Sequence, residues 1–66
     1  MIITINGEKK EFSENMTFSA LLSGLGVDPR KVAVERNLQI VPRTTYEQTP
    51  VNDGDEIEII KFIGGG

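Results

Sequence analysis

The sequence contains no cysteine, no histidine and no tryptophan. Without cysteine the chain can form no disulfide and lacks the thiol nucleophile of cysteine-dependent enzymes. Without histidine it lacks the side chain that most often exchanges protons near neutral pH, and the usual zinc ligands are missing together. We therefore expect a protein that is not an enzyme, has no catalytic residue of its own and holds no metal.

Long apolar runs are lacking as well. The 66 residues suffice for one domain, which packing alone must hold because disulfides are excluded. No stretch is long enough to span a bilayer, and residues 1–5 are too short and lack the basic leader of a signal peptide. These features predict a cytoplasmic protein that does not bind membranes and is monomeric when free.

Positive charge is scarce. Seven Lys and Arg residues stand against ten Asp and Glu residues, which gives a formal net charge of −3. An acidic chain is poorly suited to the phosphate backbone of nucleic acids, so nucleic-acid binding is not expected. An acidic surface instead favours a basic protein partner.

What is present begins with a hairpin pattern. Residues 1–5 are apolar and rich in β-branched side chains, Asn6-Gly7 favours the positive φ angles of a tight turn, and residues 8–12 are mostly charged. The first strand should be central and the second a solvated edge. A strict two-residue loop would place Lys10 opposite Ile3, so we expect a bulge or a longer loop.

A helix pattern follows the hairpin. Thr17 is suited to the N-cap, and Gly26 to the left-handed residue that follows a helix. Four apolar residues between them share one face and are expected to be core rather than a ligand site. They are Phe18, Leu21, Leu22 and Leu25.

The rest of the chain predicts short strands and turns. Residues 31–36 indicate a strand that turns at Asn37-Leu38 into a short edge strand, which Pro42 ends because proline cannot donate to the ladder. Residues 44–48 fit one helical turn or coil. A dense turn signal at residues 52–55 precedes the last strand, residues 56–62.

Together these elements predict an α+β fold with one main helix across one face of the sheet. A single helix leaves the other face of the sheet open to water, so apolar residues on that face indicate a surface that binds a partner. Alternation along the last strand assigns Ile60 and Phe62 to this open face. We expect one of them to be exposed and to bind a partner protein. By the same parity we assign Val32 and Val34 to the open face.

The sequence ends in three glycines, Gly64, Gly65 and Gly66. Glycine has no Cβ and can lie in a narrow channel, and three extended residues reach about 10 Å. This ending is suited to placing a carboxylate in another protein's active site. Taken alone, the glycines would fit a frayed terminus or a linker remnant better.

Three internal blocks combined with this ending resemble the ThiS family, the sulfur carriers of thiamin biosynthesis. The blocks are VAVERN at residues 32–37, IVPR at 40–43 and DGDEIEI at 53–59, ahead of FIGGG at 62–66. The resemblance covers nearly the whole chain. It implies a ubiquitin-like β-grasp fold with a mixed sheet, in which the first and last strands are adjacent and parallel, over residues 1–63, with a flexible tail at residues 64–66.

The resemblance also implies a chemistry. In the family an adenylating enzyme uses ATP and magnesium to convert the terminal carboxylate to an acyl-adenylate. Sulfur from cysteine, supplied by a donor such as a cysteine desulfurase system, displaces AMP, and a thiazole synthase takes the sulfur from the resulting thiocarboxylate. Gly66 would be the modified residue, and Gly64 and Gly65 would thread into the partner. The chain would need no cofactor of its own.

Three alternatives remain at this point. A molybdopterin-synthase small subunit shares the fold and the tail, although the internal blocks favour the thiamin branch. A ubiquitin-like modifier would join Gly66 to a lysine amine. A plain β-grasp binding module would carry an inert tail.

Overall fold

The computed structural model describes residues 1–13 and 15–62. Within these residues the helix α1 spans Phe18–Gly24, and 3₁₀ turns lie at Pro29–Lys31 and Arg43–Thr45. The strands are β1 (Ile2–Ile5), β2 (Glu8–Glu11), β3 (Met16–Thr17), β4 (Val32–Arg36), β5 (Gln39–Ile40), β6 (Pro50–Val51) and β7 (Glu56–Lys61).

The main sheet has the strand order β2-β1-β7-β4-β5. Strands β1 and β7 are parallel, with Thr4 opposite Glu56 and Ile5 opposite Ile57, whereas the other pairs in this sheet are antiparallel. The mixed sheet with one main helix confirms the predicted α+β class, and the adjacent parallel first and last strands confirm the β-grasp arrangement. The strand that leads to the glycines is the central one.

The β1–β2 hairpin closes with a strict two-residue turn, and the expected bulge or longer loop is wrong. Asn6 and Gly7 have φ angles of 49° and 83°, the pair of positive values that a tight hairpin turn requires. Lys10 does lie opposite Ile3. The arrangement is tolerated because β2 is the sheet edge, where all four residues are exposed and a side chain can reach water from either face.

Both predicted ends of α1 are confirmed. The Thr17 hydroxyl accepts a hydrogen bond from the Ala20 amide at 3.2 Å, as an N-cap does. Gly26 has a φ of +71°, and its amide donates to the Ser23 carbonyl at 3.1 Å, which closes the last turn. Phe18, Leu21 and Leu22 are buried, and Leu25 is partly buried.

The core lies between α1 and the main sheet. Val32 and Val34 belong to it, with exposed fractions of 5% and 1%, so their assignment to the open face is wrong. The physical reason is register: β4 pairs with β7 so that Val34 lies opposite Ile59, and opposite residues share a face. The other buried apolar residues are Ile3, Ile5, Phe18, Leu21, Leu22, Val41, Tyr46, Val51 and Ile57.

A second, two-stranded sheet was not predicted. Met16 of β3 lies opposite Val51 of β6, and Thr17 lies opposite Pro50. The amide of Phe18 also donates to the Thr49 carbonyl at 3.1 Å, so the start of α1 is tied to the segment before β7. Among the described residues no helix has the length and apolar composition needed to cross a membrane.

Candidate functional site

The glycines predicted to carry the function, Gly64, Gly65 and Gly66, lie outside the described residues, as does the proposed domain boundary at residue 63. The site that can be described is the segment immediately before them. We call residues 59–62 the tail root; it comprises the end of β7 and Phe62. Its position in the sheet determines where the tail begins.

On one side the tail root is held by β4. Lys61 lies opposite Val32 and Ile60 opposite Ala33 in the antiparallel pairing of the two strands. The Phe62 amide donates a hydrogen bond to the Lys31 carbonyl at 3.1 Å, one residue past the end of β7. Backbone pairing therefore continues to the last described residue.

On the other side the tail root is held by a side chain. β1 ends at Ile5, and beyond it the Asn6 carboxamide takes the place of a strand beside β7. Asn6 Oδ1 accepts from the Ile59 amide at 2.7 Å, and Asn6 Nδ2 donates to the Ile59 carbonyl at 3.2 Å. Sequence reasoning assigned Asn6 only to the turn. An Asn-Gly pair marks a hairpin but says nothing of what the Asn side chain binds 53 positions away.

The predicted exposure of the last strand is confirmed. Ile60 is 46% exposed and Phe62 is 62% exposed, whereas Ile59 is partly buried against the core on the opposite face. Ile2 and Ile40 are exposed on the same open face of the sheet. That Ile60 and Phe62 bind a partner stays a prediction.

The open face also carries negative charge. Glu35 of β4 lies directly opposite Glu58 of β7, and Glu56 shares that face because it is two residues away in the same strand. Like charges placed opposite each other in a sheet are destabilising. This pair therefore does not stabilise the fold. Its negative charge would instead favour the binding of a partner that has basic side chains.

A concave cavity of about 360 Å³ lies beside the tail root, between the segment that follows α1 and the end of β7. At its rim Asp28 binds Arg30 through two side-chain hydrogen bonds of 3.2 and 3.1 Å. These bonds lower the pKa of Asp28 to about 2 from its ordinary 3.8. The residues that line the cavity are Gly26, Val27, Asp28, Lys31, Val32, Lys61 and Phe62.

Two of the blocks that resemble the family meet in a polar network at the opposite end of β7. Asp55, only 6% exposed, accepts from the Asn52 amide at 2.8 Å and from Asn37 Nδ2 at 3.3 Å. Arg36 Nη1 lies 3.5 Å from Asp55 and donates to the Pro50 carbonyl at 2.8 Å. The network joins strands and turns to one another.

Residues of both blocks thus have structural roles. Among the described residues no cluster of three or more His, Cys, Asp or Glu side chains is arranged to hold a metal ion.

Comparison with known proteins identifies relatives along the whole chain. The model of the ThiS family matches residues 3–66. The sulfur carrier protein ThiS of Escherichia coli is 35% identical over 66 residues, which cover all of both chains. The crystal structure of the thiamine biosynthesis protein ThiS from Geobacter metallireducens is 36% identical, covers all of both chains and superposes with a TM-score of 0.87.

A further relative is much longer than this chain. A thiazole synthase of Paramagnetospirillum magneticum is 64% identical over 66 residues, which cover all of this chain and 20% of that protein. The chain therefore spans about a fifth of the length of that relative. This chain is therefore similar to one part of that longer protein.

Proposed function

The chain belongs to the ThiS family, and from that premise we propose that it carries sulfur as a thiocarboxylate on Gly66 for the thiazole of thiamin. The observation that supports this most directly is the family match, which runs from residue 3 to residue 66 and so includes the three glycines. The proposal requires a free carboxylate on Gly66.

The carboxylate must be activated before it can accept sulfur. An α-carboxylate is ionised at neutral pH, since its pKa is roughly 3.3–3.7, and it is a poor electrophile. One of its oxygens attacks the α-phosphorus of ATP, and pyrophosphate leaves. The product is an acyl-adenylate, in which AMP is a good leaving group.

The sulfur then replaces that oxygen. The outer sulfur of the persulfide that a desulfurase forms from cysteine attacks the carbonyl carbon, and AMP departs with one of the two original carboxylate oxygens. A thiol reductant then cleaves the S–S bond of the resulting acyl disulfide, which leaves the thiocarboxylate on Gly66. The net change at Gly66 is one oxygen exchanged for one sulfur. Both steps take place in partner proteins, so ATP and magnesium belong to the adenylating enzyme and this chain acts as carried substrate rather than catalyst.

The described part of the chain presents the tail. The tail root lies in the central strand, with β4 on one side and Asn6 on the other. Ile60, exposed on the open face, and Phe62, exposed one residue past the end of β7, provide an apolar contact for the adenylating enzyme or the synthase. The neighbouring Glu35 and Glu58 add the negative charge that a basic partner surface would match.

Thiazole synthase is the partner that takes the sulfur. The similarity of this whole chain to one fifth of a protein named thiazole synthase supports that pairing. A carrier and a synthase that act in succession gain from being held together, because the local concentration of each then rises for the other.

Intact-protein mass spectrometry tests the proposal. The chain is incubated with the adenylating enzyme, ATP, magnesium, a desulfurase with cysteine, and a thiol reductant. The expected result is a mass gain equal to the difference between one sulfur and one oxygen, located at the C-terminus by fragmentation. The matched control is the chain with Gly66 amidated, which lacks the ionised carboxylate oxygen that attacks ATP and should gain nothing. An equal gain in the control, or none in the parent, contradicts the proposal.

A further inference from the structure

Strand β7 extends past the strand beside it. β1 pairs with β7 only as far as Ile5 and Ile57, and the chain then turns away at Asn6-Gly7. Alternate residues of a strand direct their N–H and C=O groups to opposite sides, so Ile59 and Lys61 face the side that β1 has left. Among the described residues, no backbone group other than those of Asn6 lies in position to pair with β7 on that side.

The Asn6 carboxamide fills that place at Ile59. It supplies one acceptor and one donor, at 2.7 and 3.2 Å from the amide and the carbonyl of the same residue. In the parallel pairing of β1 and β7, a longer β1 would supply the same two groups from two different residues. The Asn6 amide donates to the Ile57 carbonyl at 2.9 Å, so the backbone and the side chain of one residue bind Ile57 and Ile59, two alternate residues of β7.

We propose that Asn6 is a positioning residue for the tail: its carboxamide keeps the tail root in the sheet so that a partner meets it already ordered. Ile60 follows Ile59 directly and Phe62 lies three residues past it, so the same contact fixes how both are presented to a partner. This inference rests on the proposed function. If the ordered root is only a fraction of the population, the apparent affinity for the adenylating enzyme falls by that fraction.

The chain contains a matched control in Asn37. Its φ of 50° is nearly that of Asn6, and it also begins a two-residue turn. Its Oδ1 accepts from the Glu56 amide at 3.0 Å, and its backbone amide donates to the Glu56 carbonyl at 2.8 Å. Asn37 therefore does at the start of β7 what Asn6 does near the tail.

The experiment compares Asn6→Gly with Asn37→Gly. Glycine keeps the positive φ of each turn and removes the side chain with its carboxamide. Pyrophosphate exchange is measured with the adenylating enzyme at saturating ATP and varied carrier concentration. For Asn6→Gly we expect a KM for the carrier raised roughly fivefold to tenfold with kcat within about twofold, as a lowered competent fraction requires. For Asn37→Gly both constants should stay within about twofold of the parent.

Hydrogen exchange and one further variant separate the loss of the Asn6 contact from a general loss of stability. Amide hydrogen exchange should quicken at Ile59 in Asn6→Gly and at Glu56 in Asn37→Gly. Asn6→Asp keeps the acceptor for the Ile59 amide but places an oxygen against the Ile59 carbonyl, so its KM should rise as well while the turn is retained.

An unchanged KM in Asn6→Gly despite faster exchange at Ile59 overturns the inference, and so does an equal rise in both glycine variants. A parent chain that supports no pyrophosphate exchange overturns the proposed function instead, while the hydrogen-exchange comparison still reports on the Asn6 contact itself.

Discussion

The guanidinium carbon of Arg36 lies 5.3 Å from the centroid of the Phe18 ring. Phe18 is fully buried and starts α1, and its ring in turn lies 6.3 Å from that of Tyr46. The same guanidinium binds the Pro50 carbonyl and lies beside Asp55. One cation thus joins the main sheet, the helix and the smaller sheet at the end of β7 opposite the tail root.

Replacing this cation should destabilise the fold. Arg36→Met is expected to lower the free energy of unfolding by about 2 kcal/mol, because the buried Asp55 carboxylate loses a charged partner. Urea denaturation measures the loss. Arg30→Met is the control: its pair with Asp28 is at the surface, with the Arg30 side chain 78% exposed, and the urea midpoint should not move. Equal losses in the two variants would contradict this account of the Arg36 network.

Two glycines near the end of α1 should respond to alanine with opposite signs. Gly24 is helical, and an added Cβ meets nothing within 4 Å, so Gly24→Ala should stabilise the protein by about 0.5 kcal/mol. Gly26 has equal space but a φ of +71°, so Gly26→Ala should destabilise it by about 1 kcal/mol. Thermal unfolding of both variants checks the pair. A change of the same sign in both variants would mean that backbone conformation does not determine the effect of alanine on stability at these positions.

The exposed apolar residues of the tail root should matter for binding. Phe62→Asp and Ile60→Asp are each expected to weaken binding to the adenylating enzyme about tenfold, as apolar contacts at the centre of an interface do. Isothermal calorimetry measures the affinity, and circular dichroism confirms that the fold is retained. Leu38→Asp is the control, since Leu38 is 90% exposed at the other end of the sheet and should leave the affinity unchanged. Unfolding in the Ile60 variant would show instead that the residue supports the core.

The tail should tolerate no branched residue. Gly65→Val adds a Cβ and restricts φ where the chain must lie in a narrow channel, so adenylation is expected to be lost. Pyrophosphate exchange measures the loss. The stability of the domain should stay within about 0.5 kcal/mol of the parent, as for substitutions away from packed regions. Full exchange activity would restore the inert-tail alternative.

Asp28 should titrate far below its usual range. Its bonds with Arg30 lower its pKa to about 2 from 3.8, so the ionised pair is complete above pH 3.8 and is lost as the pH falls through 2. The carboxyl chemical shift followed by NMR should show that midpoint. In Arg30→Met the midpoint should return towards 3.8. An unchanged midpoint in that variant would assign the lowered pKa to another cause.

Features set by neighbouring residues could be predicted from the sequence. The Asn6-Gly7 turn, the Thr17 cap and the Gly26 end of α1 depend on local backbone geometry, and all three are present. The α+β class followed from the order of these local signals, because one amphipathic helix can cover only one face of a sheet.

Features set by pairing between distant strands could not be predicted. The alternation within β4 is correct, but which of its faces meets α1 depends on its register against β7, and this placed Val32 and Val34 in the core. The pairing of β3 with β6 involves two residues in each strand, too few for a periodic signal. The hydrogen bonds of the Asn6 side chain could not be predicted for the same reason, since their partner, Ile59, is 53 positions away.

The central place of β7 has a consequence for how the protein is made. The contact between Asn6 and Ile59 closes a loop of 53 positions, and the sheet cannot form until the strand synthesised after all the others is available. Before that, β1 and β4 each have an unpaired edge, and an unpaired edge is prone to aggregation. A chain interrupted during translation before β7 therefore cannot fold into a decoy that presents the open face of the sheet. Folding itself selects for molecules that include the tail root.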